Sequence, residues 1–257
     1  MQATTITLIG AGNVATQLGI ALQDQGYAIS QVYSPTKKSA EALAKKVNAA
    51  AITDLKKLHT GSVIYIIAVK DDAIETVAKQ LRFNDQIVVH TSGTVSIDVL
   101  KKTSKNYGVL YPLQTFSKGK TVDLKTTPVC IEASNKSAST TLQYFAKSFS
   151  GNVQQVSSGQ RKTIHLAAVF ACNFSNHMYA VAEDILKKDK LSLDLLQPLI
   201  EETAAKTKGN SPVKMQTGPA VRGDKKTMEA HLKLISDAGT KKIYQLISKE
   251  IIKLHKK

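Results

Sequence analysis

The segment Gly10-Ala11-Gly12-Asn13-Val14-Ala15 has residue types and spacing that let a backbone approach a phosphate. Gly10 permits a tight turn, Gly12 has no Cβ to hold a pyrophosphate away, and Ala15 stands where a third glycine would let helix pack on strand. Asn13 and Val14 open the following helix, whose free N–H groups and dipole favour an anion. Such a motif also occurs as a plain structural turn. Its place between the strand pattern Thr5–Ile9 and the helix pattern Val14–Asp24 is what points to a dinucleotide site. The next strand runs out through Val32-Tyr33-Ser34-Pro35-Thr36-Lys37-Lys38, without the acidic residue that commonly holds an NAD ribose. The hydroxyls of Ser34 and Thr36 and the charge of Lys37 suit a 2′-phosphate instead, so NADP is the expected cofactor. The same stretch also reads as an ordinary turn and helix cap.

Two further strand ends should face the same crevice, because open α/β sheets bind ligands outside the carboxyl ends of their strands. Ala68-Val69-Lys70 would pass under the cofactor, with Asp71 or Asp72 capping the next helix. In His90-Thr91-Ser92-Gly93-Thr94, His90 and Ser92 are placed for the nicotinamide end. Farther along, His165 and Asn173 lie on one expected helix, about 80° apart around it and about 12 Å along it. An unperturbed imidazole titrates near neutrality, so His165 is the candidate proton donor. Asn173 suits a hydrogen bond to substrate, Arg222 a bidentate pair with a substrate carboxylate, and Asp224 the orienting of that arginine. Asn176 and His177 are alternatives on the same helix, and His231 is a lesser candidate. Each of these types also occurs for structural reasons, as a packed helical histidine or an exposed Arg-Gly-Asp turn.

Those residues need an ordered scaffold, and the sequence provides one. Of 257 residues, 42% are hydrophobic and 21% charged, a globular composition with enough apolar surface for a core. Strand patterns at Thr5–Ile9, Ala28–Tyr33, Val63–Ala68, Gln86–Thr91, Gly108–Tyr111, Pro128–Glu132 and Asn152–Val156 are separated by helical stretches. The helical stretches are Val14–Asp24, Lys38–Val47, Asp72–Leu81, Ser96–Thr103 and Lys136–Phe149. That alternation predicts an α/β doubly wound, mainly parallel Rossmann sheet over residues 1–156. From residue 157 to 257 no strand pattern remains, and helices are expected over Arg161–Lys187, Leu193–Lys208, Lys225–Ser236 and Thr240–His255. The second part is therefore read as an all-helical domain for substrate and dimerisation.

Other classes drop out. Lys plus Arg outnumber Asp plus Glu by 35 to 20, but only Arg82, Arg161 and Arg222 are arginines and the lysines are scattered, locally dense only at Lys187–Lys190 and Lys253–Lys257. A nucleic-acid interface favours clustered arginine, so the excess reads as solvated surface. No apolar run is long enough to span a membrane, and the start has no basic leader pattern. Cys130 and Cys172 are too few and too far apart for a disulfide framework or a zinc site, which fits reduced thiols in the cytoplasm. Metal-binding histidine pairs, a serine-nucleophile elbow and a Gly-x-x-x-x-Gly-Lys loop are all lacking.

The fingerprint Gly10–Ala15, with Ala68-Val69-Lys70-Asp71, His90-Thr91-Ser92-Gly93 and Tyr111-Pro112-Leu113-Gln114-Thr115-Phe116, resembles reductases related to pyrroline-5-carboxylate reductase and to F420-dependent NADP oxidoreductase. In the second part, His165 through Val169, Asn173-Phe174, Thr217-Gly218-Pro219, Arg222-Gly223-Asp224 and His231 extend the match. Over its whole length the chain is similar to the Rossmann-like NADP oxidoreductase group with a C-terminal DUF2520 domain. The resemblance implies an NADP-binding domain, a helical domain and a homodimer built through its helices; it names no substrate. Two departures are informative. The chain keeps only the Thr217-x-Pro219 frame of the pyrroline-5-carboxylate reductase segment, and it lacks the lysine and asparagine pair typical of β-hydroxyacid dehydrogenases. The expected activity is hydride transfer between NADP(H) and a small, anionic carbonyl or imine in a cleft between the domains. A non-catalytic NADP-binding sensor or adaptor and an F420-linked NADP reductase are the alternatives.

Overall fold

The computed structural model describes residues 4–117, 119 and 122–256. Met1 to Ala3 and Lys257, the ends of the two expected domains, lie outside the described residues. The chain forms two compact units, Met1–Cys172 and Asn173–Lys257.

The first unit holds one eight-stranded sheet, in the order β3-β2-β1-β4-β5-β6-β7-β8. Its strands are β1 (Thr5–Ile9), β2 (Ala28–Tyr33), β3 (Ala50–Ile52), β4 (Ile64–Ile67), β5 (Ile87–His90), β6 (Asn106–Pro112), β7 (Val129–Ala133) and β8 (Val153–Gln155). Every neighbouring pair is parallel except β6 and β7. Helices α1 (Asn13–Asp24), α2 (Lys37–Lys46), α3 (Asp71–Ala78), α4 (Lys136–Lys147) and α5 (Ser158–Ala168) complete the unit. The winding follows from the strand sequences. In β4, Ile64-Tyr65-Ile66-Ile67 is buried throughout, the mark of a strand covered on both faces. Ile64 and Ile66 join the core formed with Leu18, Leu43, Leu142 and Phe145 of α1, α2 and α4. Tyr65 and Ile67 point the other way, into a second core with Ile74 and Val77 of α3. Strand order reverses between β1 and β4, so the loops after these strands flank the crevice where such sheets take ligands.

The second unit contains α6 (Ser175–Lys188), α7 (Gln197–Lys206), the short α8 (Pro212–Met215) and α9 (Pro219–Arg222), α10 (Lys225–Leu234) and α11 (Ala238–His255). Among the described residues no strand lies beyond β8, and no helix is long and apolar enough to cross a membrane.

Four details differ from the sequence pattern. The short strand β3 was not foreseen, because its three residues are exposed or half-buried and carry no core periodicity. The helix expected at Ser96–Thr103 is a single 3-10 turn, Ile97–Leu100, started by the Ser96 side chain accepting from Asp98 N–H. The long helix expected at Arg161–Lys187 is interrupted by a π-helical segment, Val169–Phe174. The residues from 157 to 172, grouped with the helical domain by sequence, belong to the compact unit of the sheet.

Candidate active site

The glycine loop has the conformation its residues suggest. Gly10 sits at a φ of 125° and donates its N–H to the Tyr33 carbonyl at 2.8 Å. A Cβ at Gly10 would overlap the Ala68 carbonyl, so the backbone after β4 lies directly behind the turn. At Gly12 the space where a Cβ would project is open to 4 Å. Helix α1 then starts at Asn13 with no side-chain cap and no acidic residue in its first turn. Its first N–H groups are thus left for an external acceptor. Ala15 is fully buried, as a small residue closing helix onto strand should be. Val14 packs at the edge of the same core, and the Asn13 amide donates to the Phe116 carbonyl at 2.9 Å. This loop fits a dinucleotide pyrophosphate.

Ser34, Thr36 and Lys37 follow β2 in one turn. Ser34 is buried and its hydroxyl accepts from Thr36 N–H at 3.3 Å. Lys37 is exposed and pairs with Glu41, at 3.7 Å, one turn along α2. After β4, Ala68 is buried, Val69 packs on the second core and Lys70 is exposed at the N-cap of α3. Asp71 and Asp72 lie within the first turn of α3, so neither is its cap. The Asp71 carboxylate instead accepts from the hydroxyls of Ser92 at 2.7 Å and Thr94 at 2.6 Å.

Ser92 is a hub, with every polar group engaged. Its N–H donates to His90 Nδ1 at 3.2 Å, its hydroxyl also accepts from Thr94 and Val95 N–H, and its carbonyl accepts from Arg161 at 2.9 Å. Because His90 Nδ1 accepts, the proton of the neutral ring is on Nε2, an atom without a hydrogen bond of acceptable geometry. Burial, with the nearby Arg161 charge adding, pushes the pKa of His90 down to about 4. His90 is therefore neutral at physiological pH and serves the loop.

Helix α5 brings the remaining groups to this loop. It begins with a capping box between Ser157 and Gln160, and it aligns Arg161 and His165 four residues apart on one face. Arg161 has no exposed surface. Its Nη2 pairs with Glu132 Oε2 at 3.0 Å and donates to Ser158 Oγ at 3.1 Å. Glu132 is held in turn by Ser158, whose N–H donates to Oε1 at 2.9 Å. One turn on, His165 Nδ1 lies 3.1 Å from the Tyr111 hydroxyl. A Cβ at Gly93 would come within 2.6 Å of His165 Nδ1 and 3.0 Å of Tyr111 Cζ, so both rings rest against the Gly93 backbone. Burial, and secondarily the neighbouring Cys130, raises the pKa of the Tyr111 phenol and keeps it protonated. Thus Tyr111, near the carboxyl end of β6, meets His165 and the Gly93 backbone that follows β5, while Arg161 holds the preceding residue of that loop, Ser92. Tyr111 entered the sequence reading only as part of the motif that carries the resemblance, and Arg161 and Glu132 were given no site role. The one available signal was the four-residue spacing of Arg161 and His165.

The other candidates fall in the second unit. Asn173 is exposed and lies on the π-helical segment. The turn is wider there than in an α-helix, so an 80° separation from His165 does not hold. Arg222 is exposed at the end of α9. Asp224 was expected to orient it, but no ion pair joins the two. The Asp224 carboxylate caps α10, accepting from Thr227 N–H at 3.0 Å and the Thr227 hydroxyl at 2.7 Å, and these bonds lower its pKa. His231 Nδ1 meets the Tyr244 hydroxyl at 2.9 Å beside an apolar cavity of about 340 Å³ lined by Met178, Ile185 and Ile243. Among the described residues no three metal-ligating side chains are grouped.

A family model described as NADP oxidoreductase, coenzyme F420-dependent, matches residues 5–93, and the DUF2520 domain, described as of unknown function, matches residues 127–251. No curated protein matches the chain. Among solved structures, a candidate NADP oxidoreductase from Bacteroides fragilis is 42% identical, with 98% of each chain covered and a TM-score of 0.91. A pyrroline-5-carboxylate reductase from Coxiella burnetii is 16% identical over 99% of this chain and 98% of its own, at a TM-score of 0.59. An imine reductase from Myxococcus stipitatus, solved with NADP+, is 16% identical over 97% and 92%, at 0.62. The last two establish a shared fold alone.

Proposed function

Because the chain belongs to the family of the Bacteroides fragilis protein, Rossmann-like NADP oxidoreductases with a C-terminal DUF2520 domain, we propose that it is an NADP(H)-dependent oxidoreductase acting on a small, anionic carbonyl or imine. The strongest support is at Gly12, where an uncapped helix N-terminus adjoins open space beside the switch point of the sheet. In this proposal the amides of Gly12, Asn13, Val14 and Ala15 hold the pyrophosphate, and Ser34, Thr36 and Lys37 hold the 2′-phosphate. Gly10 shapes the turn, Ala68, Val69 and Lys70 line the floor, and Ser92 fixes the loop beside the nicotinamide end. The bound cofactor would supply or accept the hydride. His165 carries the proton exchanged with the carbonyl oxygen or imine nitrogen, and the Tyr111 hydroxyl on its Nδ1 sets its tautomer. Asn173 and Arg222 are proposed substrate contacts, an exposed amide and an exposed guanidinium without an ion pair. Asp224 acts at one remove, by capping the helix that follows Arg222.

The helical unit supports a homodimer through its exposed apolar faces, and the two free thiols suit a reducing cytoplasm. The match of residues 5–93 to the F420-dependent family favours a second reading, in which the deazaflavin F420 is the hydride partner.

Calorimetric titration with NADPH and NADH, on the wild type and on Lys37→Glu, tests the cofactor assignment. NADPH should bind more tightly, and the substitution should weaken it about tenfold, ~1.4 kcal/mol, with NADH little changed. No binding of either nucleotide at micromolar concentration removes the reading. Binding without turnover of any carbonyl, imine or F420 would identify a sensor instead.

A further inference from the structure

Arg161 is a guanidinium with no exposed surface, one carboxylate partner and an Nε that donates to nothing. Taking such a charge out of water carries a large desolvation penalty, and an apolar pair of similar volume often serves stability as well or better. Stability is thus a weak reason for this residue, and its geometry suggests another. The fork is divided: Nη2 is fastened to Glu132 and Ser158, while Nη1 reaches across to the Ser92 carbonyl. Ser92 is immobilised from its other sides by His90, Asp71 and Thr94. One helical turn beyond Arg161, His165 rests on the next residue of the same loop, Gly93, and meets Tyr111. Two successive turns of α5 therefore dock on two successive residues of the loop. At its start α5 is also tied to β7, where Ser158 N–H and Oγ bond the Glu132 carboxylate, but with no Cβ at Gly93 it is the Arg161 bond to the Ser92 carbonyl that ties it to this turn.

We propose that Arg161 is a positioning residue: by clamping the Ser92 carbonyl it fixes the register of α5 on the Ser92–Gly93 turn and so sets the His165–Tyr111 hydrogen bond. The inference rests on the reading of His165 as the proton-bearing group, and it predicts an effect on that group without a change in cofactor binding.

The test is a spectroscopic one on the full-length chain, labelled with 15N in its histidine rings. Long-range 1H–15N spectra report the tautomer and hydrogen bonding of each ring; His165 is identified by its loss in His165→Gln. Tyr111→Phe provides the reference for a broken bond. The double variant Arg161→Met/Glu132→Gln removes the buried guanidinium and its partly buried carboxylate partner together, so neither charge is left unpaired. It should keep the wild-type melting temperature and NADPH affinity while its His165 signals move to those of Tyr111→Phe. Arg161→Lys, which keeps the charge without the fork, should move them part of the way and stands in if the double variant does not fold. His165 signals that coincide with wild type in a folded variant overturn the proposal. Failure of the wild type to bind NADPH would instead remove the functional reading, and the ring coupling would be measured all the same.

Discussion

In the unit that ends at Cys172, β4 is buried on both faces, and Leu142 and Phe145 of α4 belong to the same buried core as Ile64 and Ile66. In the unit that begins at Asn173, only Ala220 and Ile235 are buried among the described residues, while Leu195, Leu199, Leu246 and Leu254 are each more than half exposed. The comparison separates two ways of stabilising a chain. The sheet unit is stabilised internally, by apolar area removed from water within one chain. The helical unit presents amphipathic faces whose burial requires something further, and a second copy of the chain is the partner proposed above.

The largest effect that should divide the units is a core truncation. Leu142→Ala should cost about 2–5 kcal/mol, seen as a lower midpoint in denaturant unfolding. Leu246→Ala should change the dissociated chain by no more than about 0.5 kcal/mol, and should act by weakening self-association in sedimentation experiments. Equal losses in both variants at every protein concentration would erase the distinction.

A second contrast is in pH. His90 is buried in the sheet unit with its pKa depressed to about 4, against about 6.5 when unfolded. Between those values the unfolded chain binds the extra proton, so stability is full above pH 6.5 and falls as the pH drops toward 4. The loss approaches about 3 kcal/mol for this one group. Urea unfolding across that range should show the slope in the wild type and a flatter one in His90→Gln. Among the described residues of the helical unit no histidine is buried to add to it.

The smallest effect should come from the sheet unit's surface. Lys37 and Glu41 are exposed, so Lys37→Glu should shift stability by only a few tenths of a kcal/mol. Thermal melting without nucleotide measures this directly. A large loss would mean that Lys37 belongs to the fold rather than to the cofactor site.

Much of the fold was legible in advance because its signals are local. The strand–glycine–helix passage at Thr5–Asp24 depends on conformational freedom and hydrophobic period, both written in consecutive residues. The capping box of Ser157 and Gln160 is equally local, but the sequence reading started this helix at Arg161 without it. Where the signal was weak or ambiguous, the reading went astray. Residues Ser96–Thr103 have a helical pattern, yet after Ser96 caps the turn only a 3-10 segment forms. Asp224 was read as an arginine's partner because the two are close in sequence, whereas an aspartate ahead of a helix satisfies orphan N–H groups first.

The sequence by itself therefore determined a dinucleotide-type α/β unit followed by helices, because turn chemistry and periodicity act over a few residues at a time. Only the tertiary structure decided which side chains meet at the candidate site. Tyr111 and His165 are 54 residues apart, Arg161 and Ser92 69, and Arg161 and Glu132 29. No local pattern encodes those distances. Parallel β5 and β6, antiparallel β7 and the docking of α5 bring the groups together, and burial then decides what each one is. It leaves His90 neutral, keeps the Tyr111 phenol protonated and gives Arg161 its partners within the protein.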